Sequence, residues 1–222
     1  MPDFPVLLQL AGRYCVVVGG GSVALRKGEA LIQAGARVRL IAPEIQADKP
    51  LPQSVEWLRR AYLKGDLEGA YLAIAATDNR RVNAEILEEA RSFGVLINVA
   101  DAPEDGDFTM PAVVRRGDLT LCAATYGRSP ALAAIVRQHL EESFGQEWGL
   151  LLEIAAALRG KRLTAAGQDK YSQEVLRQLI EEGLPALLAA GATEAVDRRL
   201  EAVLGRGFSL TELGITLPKG MP

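Results

Sequence analysis

Gly19, Gly21 and Ala24 fall at G-x-G-x-x-A spacing inside the stretch VVVGGGSVALRK. Following an apolar run and opening a helical pattern, that spacing suits a pyrophosphate. The first glycine permits a tight turn, the second lets backbone amides approach an anion, and the small third residue lets the helix pack on the sheet. Ser22 and Val23 open the helix whose positive end would face the phosphates. Asp101 is the second candidate, because it ends the apolar run VLINVAD just before a loop with Pro103 and Gly106. That places it at the carboxyl edge of a strand, where open α/β sheets bind their ligands. A carboxylate there can act as a general base, and it can equally cap the amides of a turn. Glu44, after Pro43, is the carboxylate nearest the end of the second expected strand and the candidate for an adenosine ribose. Arg37 and Arg39 lie before that strand end and make no clear pocket for a 2′-phosphate, which favours NAD over NADP.

These residues need a parallel sheet to hold them. YCVVV (14–18), ARVRLIAPE (36–44), SVEWLRRAY (54–62), AYLAIAATD (70–78) and the run from Val95 to Val99 read as strands, several of them continuously apolar, as strands buried on both faces are. The segment after the glycine loop reads as a helix stopped by Gly35, and residues 79–94 carry Val82, Ile86, Leu87 and Ala90 at helical spacing. The fold class is therefore α/β, with a Rossmann-like parallel sheet. After Pro111 the pattern changes. AVVRRGDLTLCAAT reads as a hairpin turning at Gly117-Asp118, and Ser129-Pro130 is a strong helix start. From Trp148 onward the chain is helical, with breaks expected near Gly160, Gly167, Gly183 to Pro185 and Gly191. Three regions result: 1–112 as the dinucleotide-binding domain, 113–147 as hairpin plus helix, and 148–222 as a small helical domain.

Composition excludes several classes. A net charge of −3 gives no general attraction to nucleic acid or to an acidic membrane surface. Neither a membrane span nor a secretory signal is read in the sequence, so a cytoplasmic setting is expected. Cys15 and Cys122 each lie in an apolar strand, lack metal-ligand spacing and read as buried thiols, and with His139 the only histidine no metal site is expected.

Four ordered blocks, VVVGGGSVALRK, AIAATD, NVADAPEDGDFTMPAVVRRGDLTLCAAT and GRSPALAAIVRQHLE, resemble the precorrin-2 dehydrogenase and sirohydrochlorin ferrochelatase family of sirohaem biosynthesis, over about residues 4–145. The resemblance implies a homodimer with NAD as cofactor, dimerising through region 113–147. Its substrate is a tetrapyrrole, precorrin-2 becoming sirohydrochlorin, and some members also insert ferrous iron. The family's essential aspartate falls on Asp101. Ala75, Ala76, Thr77 and Asn98 lie near other strand ends and can line the same crevice. Ala76 and Thr77 are taken as cofactor contacts, and Asn98 as a substrate contact. Because such a substrate carries several carboxylates, Arg115, Arg116, Arg128 and Arg137 are candidate cations, of which Arg115, Arg116 and Arg128, with Thr125, are taken as substrate contacts. Each arginine could equally belong to a solvated face. Tyr126 departs from the family, standing where a glycine is usual. A fused methyltransferase would need a further domain, so methylation is expected elsewhere. The rival class is a nucleotide-sensing module without catalysis, which leaves Asp101, the hairpin and the capped helix unexplained.

Overall fold

Tyr14–Val18 forms β1, whose Cys15, Val16, Val17 and Val18 are all buried, as the unbroken apolar run requires of a central strand. The computed structural model describes residues 4–46, 51–161 and 172–218, and the chain divides into two compact units, Met1–Met110 and Pro111–Pro222.

In the first unit β2 (Arg37–Ile41), β3 (Val55–Leu58), β4 (Leu72–Ala75) and β5 (Leu96–Val99) join β1 in one parallel sheet of order β3-β2-β1-β4-β5. The order reverses at β1, and the crevice beside such a switch point is where open sheets place ligands. α1 (Ser22–Gln33) and α2 (Arg80–Phe93) carry the crossovers from β1 to β2 and from β4 to β5. α1 ends before Gly35 at φ +78°, and α2 ends at Gly94 in the left-handed conformation. Val16, Ile97 and Ile86 pack in one layer, and Val17, Leu31 and Ile74 in the other.

Three strands are shorter than the sequence suggests. β2 stops at Ile41, two residues before Pro43, which lacks the ladder donor. β3 stops at Leu58, after which Arg60 turns aside to grip Asp66 through two hydrogen bonds of 2.7 and 2.6 Å. β4 stops at Ala75, although the Ala76 amide still donates to the Val18 carbonyl.

The second unit starts with an antiparallel hairpin, β6 (Ala112–Arg116) and β7 (Leu119–Ala123), with Gly117 at φ +56° in its turn; Cys122 is exposed rather than buried, because side chains alternate along β7 and its own falls on the open face. α3 (Pro130–Ser143) follows, and the Ser129 hydroxyl accepts from the Leu132 amide as its cap. α4 (Glu147–Lys161), α5 (Gln173–Glu181), α6 (Leu184–Ala189), α7 (Thr193–Leu204) and α8 (Leu210–Leu213) share a core of Ile154, Leu158, Leu179, Leu188 and Leu200. Gly149 of α4 lies on the hairpin turn, where a Cβ would come within 2.8 Å of the Arg116 carbonyl oxygen. Breaks fall at Gly183 and Gly191, as the sequence indicates. Gly160 is the second-last described residue of α4, so the break expected near it falls at the edge of the described residues. Gly167 lies outside the described residues.

Candidate functional site

The glycine loop leaves β1 at the carboxyl edge of the sheet and is clamped on both sides. Gly19 has φ +130°, and a Cβ there would lie 2.2 Å from the Ala76 carbonyl oxygen beyond β4. Gly20 is packed against the exit of β2, where a Cβ would fall 1.9 Å from the Glu44 carbonyl oxygen. Spacing alone assigns Gly20 no role, because it occupies a free position of the motif; its need for glycine comes from a contact more than twenty residues away. Gly21 differs, since a Cβ there would meet nothing within 4 Å. The fold does not demand glycine at this position, so the glycine leaves room over the start of α1.

That helix start suits an anion. Gly21 is the N-cap without a side-chain cap, and the first turn holds no acidic residue. The amides of Ser22, Val23 and Ala24 belong to the turn whose donors a helix leaves unpaired. Ser22 and Val23 are exposed, whereas Ala24 is fully buried and lets α1 sit close on the sheet. Pro43 and Glu44 are exposed beyond β2, and the neighbouring Arg39 is paired with Glu56 at 2.8 Å. Room over Gly21, an uncapped helix start and the absence of first-turn acid fit a dinucleotide pyrophosphate.

Next to the loop, α2 ties two strand ends together through Asn83, a side chain only 1% exposed. The Thr77 amide and hydroxyl donate to Asn83 Oδ1 at 3.2 and 2.7 Å. Asn83 Nδ2 donates to the Thr77 carbonyl at 3.1 Å and to Asp101 Oδ1 at 2.8 Å. Asp101 thus follows β5 as expected, with its side chain 32% exposed and Oδ2 3.7 Å from Arg80 Nε. Arg80 and the first turn of α2 give the carboxylate an electropositive setting. Asn83 had a visible sequence signal: with Ile86, Leu87 and Ala90 it completes the i, i+3, i+4, i+7 stripe of α2, so it is an amide on a buried face.

Asn98 is also in this unit but is 3% exposed. Its Oδ1 accepts from Lys27 Nζ at 2.8 Å and its Nδ2 donates to the Phe108 carbonyl at 2.8 Å, so both ends of the amide are engaged within the domain. Burial, and then the neighbouring Arg26, push the Lys27 ammonium below the ordinary lysine range. Lys27 likewise lies at helical spacing from buried Ala24 and Leu31.

The remaining candidates belong to the second unit. Arg116 closes the end of α3, donating to the Phe144 carbonyl at 2.6 Å and the Glu141 carbonyl at 3.0 Å, and also to the Arg115 carbonyl. Arg115 and Arg128 are exposed. Arg137 pairs with Glu141 one turn along α3. Thr125 braces the loop before α3, its hydroxyl donating to the Ser129 carbonyl at 3.0 Å. Tyr126 has φ +51°, the left-handed backbone that a glycine adopts freely, so the loop takes the glycine conformation even with a tyrosine in place. Among the described residues, no group of three His, Cys, Asp or Glu side chains could hold a metal ion, and no helix is long and apolar enough to cross a membrane.

Residues 6–112 match the family described as putative NAD(P)-binding. A siroheme synthase of Nitrosococcus oceani is 34% identical over 219 residues, covering 94% of this chain and 45% of that protein. One of Azotobacter vinelandii is 38% identical over 213 residues, covering 92% of this chain and 45% of that protein. The chain therefore spans about half the length of these curated relatives. Among solved structures, SirC, precorrin-2 dehydrogenase, superposes with a TM-score of 0.66 at 24% identity, covering 96% of this chain and 99% of that one, which shows a shared fold. Over nearly its whole length the chain is thus similar in sequence to about half of the siroheme synthases, and its residues 6–112 match the putative NAD(P)-binding family.

Proposed function

We propose that this chain is a dehydrogenase of sirohaem synthesis, oxidising precorrin-2 to sirohydrochlorin with NAD, and that Asp101 is its general base. The observation that carries this reading is the position of Asp101: a half-open carboxylate at the end of β5, joined through Asn83 to Thr77 at the end of β4, on the same sheet edge as the glycine loop. When bound, a nicotinamide cofactor supplies the hydride acceptor. Asp101 takes the proton that the substrate releases in the same oxidation, so two electrons and one proton leave as hydride and one proton goes to the carboxylate. Ser22, Val23 and Ala24 present the start of α1 to the pyrophosphate. Glu44 offers a carboxylate for a ribose hydroxyl, and Arg39, engaged by Glu56, gives a 2′-phosphate no partner, which supports NAD over NADP.

The exposed Arg115 and Arg128 are the cations proposed for substrate carboxylates, whereas Arg116 is engaged by the carbonyls at the end of α3. Residues 113–147 serve as the dimerisation region of a homodimer. α3 buries none of its residues within the chain and leaves Leu132, Ile135 and Val136 exposed, an apolar row that a second copy would cover. The helices α4 to α8 make up the helical domain, the whole working in the cytoplasm. Anaerobic turnover with precorrin-2 and NAD tests the activity. NADH formation supports the reading and its absence refutes it, with insertion of ferrous iron into the product scored separately in the same reaction.

A further inference from the structure

We infer that Asn83 is a positioning residue that fixes Asp101, so that Oδ2 rather than Oδ1 receives the proton. The inference rests on the reading of Asp101 as base. Its physical basis is the complete use of one buried amide. Asn83 has one acceptor oxygen and two N–H donors, and it makes four hydrogen bonds. Its orientation is determined, because the Thr77 amide can only donate; turning the side chain over would set the Asn83 NH2 against that N–H and place an oxygen against Asp101 Oδ1. Nδ2 must therefore face Asp101. With Oδ1 held at 2.8 Å and Oδ2 meeting only the exposed Arg80, at 3.7 Å, the carboxylate keeps one rotamer and leaves Oδ2 as the oxygen open to a proton. A long side chain on α2 could not do this without strain, since Asn83 is 1% exposed. The same amide fixes the Thr77 backbone, so a single side chain sets the spacing between the end of β4 and the proton acceptor beyond β5.

The test is a double-mutant cycle on NADH formation from precorrin-2, combining Asn83→Ala with Asp101→Asn and accumulating NADH overnight where turnover is slow. Asn83→Ala should lower kcat on the order of 10²-fold, as misplacement of a reacting group does, with KM for precorrin-2 little changed. In the Asp101→Asn background the same substitution should leave the residual kcat nearly unchanged, because there is no base left to position. Asn83→Leu, which keeps the shape but has no donor for Asp101, should show the same loss of kcat and covers the case in which the alanine variant does not fold. Equal losses in both backgrounds, or a loss confined to KM for NAD, would overturn the inference and reduce Asn83 to a support for Thr77. Normal turnover by Asp101→Asn alone would instead overturn the reading of Asp101, and the positioning role with it.

Discussion

Lys27 Nζ on α1 donates to Asn98 Oδ1 on β5 at 2.8 Å, joining residues 71 positions apart across one face of the sheet. An ammonium that burial disfavours is held there by a neutral amide whose other end is tied to the Phe108 carbonyl. Asn98 thereby locks α1, β5 and the chain beyond residue 106 together. Asn98→Ala should cost on the order of 1–3 kcal/mol of stability by stranding both partners, while KM for precorrin-2 stays close to that of the parent. Calorimetric unfolding beside steady-state kinetics checks this, and a large rise in KM without loss of stability would return Asn98 to the substrate site.

Gly20 and Gly21 should respond in opposite ways. Gly20→Ala drives a Cβ onto the Glu44 carbonyl and should lower stability by about 1–3 kcal/mol. Gly21→Asp meets no protein atom, so the fold should hold, yet it sets a negative charge at the start of α1 and should abolish NAD binding in a calorimetric titration.

Much of this fold was legible in the sequence because it rests on local patterns: continuous apolar strands, helices punctuated by Gly35 and Gly94, a Gly-Asp turn and a Ser-Pro helix start. Contacts distant in the chain were not. Gly20 occupies a free position of the motif, and its need for glycine comes from the Glu44 carbonyl, which only the fold brings beside it. Asp101 could be placed at its strand edge from sequence, but Asn83 becomes visible as its partner only when α2 is laid against the ends of β4 and β5. Its polar side chain on an apolar stripe was the available signal.

Cys15 predicts an alkaline loss of stability. Burial pushes its thiol up to about 11 from an ordinary value of 9.0. The folded state therefore keeps its proton while the unfolded state loses it, so the contribution is fully present below pH 9 and is lost as pH rises through about 11. The loss should be on the order of 2 kcal/mol, and Cys15→Ala should flatten that part of the profile in denaturant titrations across this range.

The apolar row on α3 predicts self-association. At micromolar concentration the chain should sediment as a dimer, and Ile135→Asp should give a folded monomer by placing an unpaired charge in the covered face. A parent protein that sediments only as monomer would refute the homodimer.

The central claim is the role of Asp101, and Asp101→Asn tests it most directly. Asparagine keeps the shape and can still accept from Asn83 Nδ2, yet it has no basicity. The measurement is NADH formation from precorrin-2 by this variant, with NAD affinity and melting temperature recorded on the same preparation. Turnover should fall by a factor of about 10² to 10⁴ while folding and NAD binding are retained. Near-normal turnover in a folded, NAD-binding variant would contradict the account.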